Sequence, residues 1–232
     1  MKKIFNISQF KFPYDQYRFP GQAKDEKILF VTRENRVMLW IKRLMVVAIG
    51  AALLGTGAWL ASLLTQLLNF SLPPVVMPLT FIISTLVILI GWWWVTNLWK
   101  KSLAFITTKR LAKIIHTTPF TKHTLSLPLE MIVDTGAYTK GFLPAIFKLA
   151  TFTARSSAVS SGVATDDIDR INKKYFYLEN ISCAEDLQHY VNKLLNVFRT
   201  EKDKLKNFRP FIQQLKAGER DKFMEQYPQY WS

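Results

Sequence analysis

The sequence predicts an α+β protein in which a two-helix transmembrane hairpin is joined to an antiparallel β-barrel or sandwich capped by a C-terminal helix. Three observations carry this. From Leu44 to Leu98 there is no Asp, Glu, Lys or Arg, although charged residues make up 21% of the chain. The net charge of +14 is concentrated on both sides of that gap. Beyond it come short β-rich runs separated by turn signals, then one amphipathic helix.

Within the gap, Leu44 to Leu68 and Val75 to Leu98 are apolar runs. Each exceeds the roughly 20 residues a helix needs to cross about 30 Å of hydrocarbon. The mean hydropathy of +0.06 therefore averages a membrane part with a polar part. What remains outside the spans suits one domain of ordinary size plus tails.

Cys183 is the single cysteine, which excludes an intramolecular disulfide and a thiolate metal cluster and suits a reducing compartment. The N-terminal segment begins with Lys2 and Lys3 but then mixes aromatic, basic and acidic residues. With no apolar core and no small-residue cleavage site, it is not expected to be a signal peptide.

Residues 1 to 43 hold ten Lys or Arg against four Asp or Glu, and residues 99 to 155 hold nine against two. Residues 156 to 232 are nearly balanced, at twelve against eleven. The excess flanks the hairpin, where cationic residues retain a loop on the cytoplasmic side. Lys42 and Arg43 precede the first span, Lys100 and Lys101 follow the second, and the connector Asn69 to Pro74 is uncharged. Both termini are expected to be cytoplasmic. A nucleic-acid footprint would not explain this clustering, and no nucleic-acid partner is expected.

Taken in order, residues 1 to 43 form an N-terminal segment whose KDEKILFVTR run has a strand pattern at about 28 to 33. Such a strand needs a partner from beyond the hairpin. The first span carries Ala51, Gly55, Ala58 and Ser62, pairs of small residues at i, i+4 that allow close helix approach. Packing against the second span is the expectation, dimerisation the alternative. The second span starts after Pro73 and Pro74 and has Pro78 in its first turn, where a missing N–H is harmless. It ends on Trp92, Trp93, Trp94 and Trp99 before Lys100 and Lys101, an aromatic belt with a cationic stop at the membrane interface.

Residues 99 to 198 read as the β domain. Strands are expected at Leu103 to Thr107, Leu111 to Thr117, His123 to Leu127, Met131 to Tyr138, Ala150 to Arg155 and Lys174 to Leu178. Ser156 to Lys173 is polar and aperiodic, a solvated loop. Its Asp166, Asp167 and Asp169 lack the spacing of a calcium loop. The capping helix, over 183 to 198, has Ser182 and Glu185 as a capping box and an apolar stripe of Ala184, Leu187, Val191, Leu194, Leu195 and Phe198. Residues 199 to 232 form a charged, aromatic-ended tail that could pack on the domain, lie on lipid or bind a partner.

The ordered runs ITTKRL, SLPLEMIVD, KLATFTAR and YFYLENISCAEDLQHYVNKL, from Ile106 to Leu194, resemble the bacterial pleckstrin-homology-like domain of small membrane proteins. Members commonly place a transmembrane hairpin just before this domain, with an upstream strand like DEKILFVTR. The resemblance implies a seven-stranded, helix-capped barrel, a location in the bacterial inner membrane, and a non-catalytic binding or scaffold role. Two departures stand out: IFKLATF lacks the glycine many members carry before that strand, and the Ser156 to Lys173 loop is long.

The residues themselves offer no catalytic constellation. His116, His123 and His189 are the only histidines, and Ser156 or Ser157 with His116 and Asp134 lacks a nucleophile elbow. No zinc-type spacing or phosphate loop occurs, so no metal and no cofactor is expected. The remaining chemistry is electrostatic. Lys100, Lys101, Lys109, Arg110 and Lys113, with Lys42 and Arg43, are candidates for contact with anionic lipid headgroups, each cation near the surface contributing on the order of 1 kcal/mol. The expected partners are the bilayer with its anionic lipids and either an unidentified protein or further copies of this chain. The alternative to a scaffold is a subunit of an oligomeric membrane pore or transport complex.

Overall fold

The computed structural model describes residues 13–68, 73–157, 175–212, 222 and 225–228. The connector 69–72, the Asp-bearing loop 158–174 and most of the tail beyond 212 lie outside the described residues, and so do the expectations that fall on them. The chain divides into two compact units: Arg36–Trp99 with the turn Thr117–Thr121, and the remainder.

The first unit is built from two long helices, α1 (Arg36–Leu68) and α2 (Pro73–Lys101), the last two residues of α2 counting with the second unit. At 33 and 29 residues they run for about 50 and 43 Å at 1.5 Å per residue, longer than a hydrocarbon core. Only 11% and 6% of their most apolar windows are buried, unlike the core helices of a soluble protein. Both are long and apolar enough to cross a membrane. Each extends beyond the expected span at its charged end, because Arg36, Lys42, Arg43, Lys100 and Lys101 continue the helix without interrupting its hydrogen bonding. Pro78 falls inside α2, since that helix already begins at Pro73.

The residues that let these helices approach differ from those expected. A Cβ at Gly57 would lie 2.5 Å from Thr80 Cγ2, one at Gly91 would lie 2.7 Å from Val46 Cγ1, and one at Gly50 would overlap Ile88. Buried Ser84 donates a 2.6 Å hydrogen bond to the Gly50 carbonyl, and Ala61 is buried. Ala51, Gly55 and Ser62 are exposed instead, Ala58 is half-buried, and a Cβ at Gly55 would meet nothing within 4 Å. The correction has a simple cause. Adjacent helix positions differ by about 100° in direction, and the i, i+4 pattern of small residues does not say which face meets the partner.

The second unit has seven strands among the described residues: β1 (Ile28–Thr32), β2 (Leu103–Thr107), β3 (Arg110–His116), β4 (Lys122–Pro128), β5 (Ile132–Tyr138), β6 (Ala150–Ser156) and β7 (Tyr175–Ile181). They form two antiparallel sheets, ordered β1-β2-β3-β4 and β5-β6-β7, and do not close into a barrel. The strand before the hairpin pairs with the first strand after it: Thr32 lies opposite Ala104 and Ile28 opposite Thr107. The whole hairpin is therefore inserted between two neighbouring strands. Only residues 33–35 separate β1 from α1, and Ser102 alone separates α2 from β2.

Between β5 and β6 lies a short helix, α3 (Phe142–Ile146), and after β7 comes α4 (Ala184–Thr200). The α4 stripe of Ala184, Leu187, Val191, Leu194 and Leu195 is buried as its 3.6-residue period requires, while Phe198 packs at the margin. The N-cap is Cys183 and not the expected Ser182, and the Cys183 side chain makes no cap bond. Glu185 and Asp186 still favour this end by their charge.

The core unites Leu29, Phe105, Ile106, Leu111, Ile132, Phe152, Leu187 and Leu194. Tyr14, Tyr17 and Phe19 join it from the N-terminal segment, Phe19 stacking on Phe105 at 4.7 Å between ring centres. From the other terminus Phe211 meets the Phe30 ring edge-on at 4.8 Å, and its N–H donates to the Leu29 carbonyl. As far as Ile212, then, the tail packs on the β domain.

Candidate functional site

Antiparallel register gives the β domain two distinguishable ends. At one end lie Thr32, Leu103, His116 and Lys122, where the chain enters and leaves the helical hairpin. The three-stranded sheet contributes Tyr138, Ala150 and Ile181 to the same end, because the Asn35 N–H, one residue before α1, donates to the Asn180 carbonyl at 3.0 Å. The Asn180 amide also donates to Glu34 Oε1 at 3.0 Å. The opposite end carries Ile28, the Thr108–Lys109 turn, Pro128 and Ser156.

Two of the candidate headgroup cations lie at that opposite end. Lys109 pairs with Asp25 at 2.6 Å. Arg110 grips the buried Glu26 carboxylate through Nε and Nη2, both at 3.0 Å, donates to the Gly21 carbonyl, and lies 5.4 Å from the Phe19 ring centre. Glu26 also accepts the Thr107 hydroxyl at 2.8 Å and the Ala23 N–H at 3.0 Å. Burial alone would raise the Glu26 pKa; the Arg110, Ala23 and Thr107 hydrogen bonds together outweigh it and hold the carboxyl below its ordinary range. This ion pair clasps the chain before β1 to the β2–β3 turn.

Lys113 is also occupied. Its ammonium donates to the Tyr177 carbonyl at 2.9 Å and stands 4.0 Å from the Tyr177 ring centre. Burial pushes its pKa down to about 8, with Glu179 and Glu34 pulling in the other direction. It thus links the two sheets, since β3 and β7 belong to different ones. A shallow cavity of about 340 Å³ opens beside Tyr138, Thr153, Tyr177 and Glu179.

On the two long helices, Lys42 and Lys100 are exposed and Lys101 half-buried. Arg43 lies between two indoles, 5.2 Å from the Trp40 ring centre and 4.5 Å from that of Trp92, and donates to the Thr96 hydroxyl at 3.0 Å. The contact partly desolvates the guanidinium, where cation–π attraction is worth roughly 1–2 kcal/mol. Trp92 and Trp93 are exposed and Trp94 half-buried. Trp99, only 7% exposed, is not placed as a lipid-facing anchor.

Sequence reasoning missed two aromatic positions on α1. Trp40 and Trp59 are both exposed and lie 19 residues apart, about 28 Å along the helix axis, close to a hydrocarbon thickness. That spacing was a readable signal. It also missed exposed apolar side chains at two connections between strands: Phe120 in the β3–β4 turn, which belongs to the helical unit, and Phe142, Leu143, Ile146 and Phe147 on and after α3 in the β domain. Four large apolar residues in the stretch GFLPAIFK, with Lys140 and Lys148 on either side, could have drawn attention to it.

A groove of about 690 Å³ runs between α4 and the packed part of the tail, lined in part by Tyr190, Lys193, Val197, Phe208 and Phe211. The Tyr190 hydroxyl donates to the Arg209 carbonyl at 2.6 Å, and burial pushes its pKa up. Among the described residues no group of three or more His, Cys, Asp or Glu is placed to hold a metal ion. No family model, curated protein or solved structure matches the chain.

Proposed function

We propose that this chain is a two-span protein of the bacterial inner membrane, with both termini cytoplasmic, whose β domain acts as a non-catalytic docking platform of the pleckstrin-homology-like kind. The observation that carries the reading is the insertion of the apolar hairpin between the paired strands β1 and β2. A domain whose neighbouring strands flank both membrane crossings cannot complete its sheet apart from the hairpin. Seven antiparallel strands and a C-terminal amphipathic helix support the family resemblance. The cationic flanks, with ten and nine Lys or Arg, support the orientation.

Lys100, Lys101, Lys42 and Arg43 remain the cations proposed to meet anionic headgroups. Lys109, Arg110 and Lys113 are instead given structural roles by their partners. A reporter active only outside the cytoplasm, fused at Ser71, is expected to be active; activity from the C-terminus instead would overturn the orientation. Crosslinking in native membranes followed by purification of the full chain should recover a dissimilar protein.

The second reading is a subunit of an oligomeric pore or transport complex. It is favoured by the small residues Ala51, Gly55 and Ser62 that α1 leaves exposed. Homo-oligomer ladders that disappear on changing Ala51 and Gly55 to Leu would select it.

A further inference from the structure

We infer that two apolar tips, the β3–β4 turn with Phe120 and α3 with its flanks, each connecting strands at the ends where the hairpin is joined, dip into the lipid surface of the same membrane, so that the platform is held at three places and not by its helices alone. The inference deepens the membrane-platform reading and rests on it. The larger tip is α3 with its flanks. Phe142 is 79% exposed, Ile146 55%, Phe147 44% and Leu143 41%, and α3 buries none of its side chains. A soluble surface seldom spends so many large apolar residues on one short projection.

The tip is built as a defined shape. Gly141 at φ 98° and Lys148 at φ 52° turn the chain at either side, and Leu149, buried, fixes the returning strand. Backbone N–H groups of Ala145, Phe147, Lys148 and Leu149 donate to the carbonyls of Gly141, Leu143, Ala145 and Pro144. A projection that satisfies these donors internally loses less on leaving water than an open loop would.

Register identifies the lipid as the occupant. The tip leaves β5 after Tyr138 and returns at Ala150, opposite Ile181, next to the Asn180 that holds Asn35 at the entrance to α1. The smaller tip, with Phe120 at 86% exposure, joins His116 to Lys122, the strand ends level with Leu103 where α2 delivers the chain. Both tips therefore occupy the sheet ends at which the membrane-crossing segment begins and finishes.

Charge agrees with this placement. No Asp or Glu occurs from Asn35 to Leu129 or from Thr135 to Thr165, and Lys122, Lys140 and Lys148 bracket the tips. Apolar and aromatic side chains between lysines suit the boundary of headgroups and acyl chains in an anionic bilayer. An acidic protein groove could satisfy the lysines, but it would have no reason to lie at the hairpin end of both sheets.

The test uses the full chain with Cys183→Ala and one added cysteine, Phe142→Cys, Phe120→Cys or Lys109→Cys. Each is labelled with an environment-sensitive fluorophore and reconstituted in vesicles of phosphatidylethanolamine and phosphatidylglycerol. Labels at 142 and 120 are expected to be quenched by lipid-borne nitroxide near the headgroup end of the acyl chain and shielded several-fold from an aqueous quencher. The label at 109, on the opposite end of the sheet, should behave in the reverse way. Aqueous quenching at 142 as strong as at 109 overturns the inference, while resistance of the protein to alkaline extraction shows that the membrane-spanning reading still stands. Shielding at 142 that appears in native membranes but not in the vesicles also overturns it and points to a protein occupant. A chain extracted by alkali overturns both readings.

Discussion

Replacing Arg110 with Met separates a structural clasp from a lipid contact, because the two roles place the loss in different measurements. The substitution keeps much of the apolar stem but removes both 3.0 Å bonds to Glu26, whose side chain is 1% exposed while that of Arg110 is 28% exposed. Stranding one member of a buried ion pair costs about 3–5 kcal/mol. Arg110 keeps some contact with water, and Glu26 retains the Thr107 hydroxyl and Ala23 N–H, so a loss of about 2–4 kcal/mol is expected here. For a β domain of this size the midpoint falls by roughly 3–4 °C per kcal/mol, a drop of roughly 6–16 °C. Cys183, the single cysteine, is buried in the core and provides the assay: a thiol-reactive dye reports unfolding of the β domain as the protein is heated in micelles. An unchanged midpoint with weakened retention on anionic vesicles would refute the clasp and restore Arg110 as a headgroup ligand.

The same pair has a pH signature. Its folded carboxyl pKa lies below the unfolded value of about 4.3, so the stabilisation is complete above that value and disappears as pH falls through the lowered one. The gap in midpoint between wild type and Arg110→Met should therefore close in acid, and a gap that persists there would show another cause. Lys113 also makes stability rise with pH, but in the alkaline range. Its folded pKa of about 8 lies below the unfolded value of about 10.4, so the unfolded chain binds more protons between them. Wild type should gain on the order of 2–3 kcal/mol relative to Lys113→Met as pH rises through that window; parallel stability curves would contradict the burial of its charge. In the hairpin, Gly57→Leu meets Thr80 Cβ at 2.9 Å and should cost about 3 kcal/mol by overpacking, whereas Gly55→Leu should be neutral within about 0.5 kcal/mol. Thermal loss of helicity in micelles compares them, and equal effects would refute the assigned helix faces.

Much of the secondary structure was legible because its signals are local. β2 starts and ends where its run of β-formers predicted, and the α4 stripe lies on the buried side. The two long apolar helices were legible because the 55 residues from Leu44 to Leu98 without Asp, Glu, Lys or Arg contain two runs, each long and apolar enough to cross a membrane. The N-cap falls one residue later than expected because the signature, Ser182 followed three residues later by Glu185, says nothing of where the preceding strand lets the helix begin. The candidate site was less legible. Cations were chosen by their distance in sequence from the spans, which placed Lys109 and Arg110 near the hairpin end of the strands although β2 runs about 13 Å away from it before they occur.

By itself, the sequence determined that two helices long and apolar enough to span a membrane divide this chain, and that a strand on one side would need a partner on the other. These follow from composition and period, which are properties of each segment alone. Tertiary structure decided which glycines admit the neighbouring helix, that Arg110 pairs with Glu26, and that Tyr14, Phe19 and Phe211 complete the core from both termini. It also decided which apolar residues remain exposed. Phe142 and Phe152 are both phenylalanines close to β-rich sequence, yet one is 79% exposed and the other fully buried. The difference comes from long-range strand pairing, which covers Phe152 with β5, β7 and α4 and leaves the connecting tip with no strand to cover it.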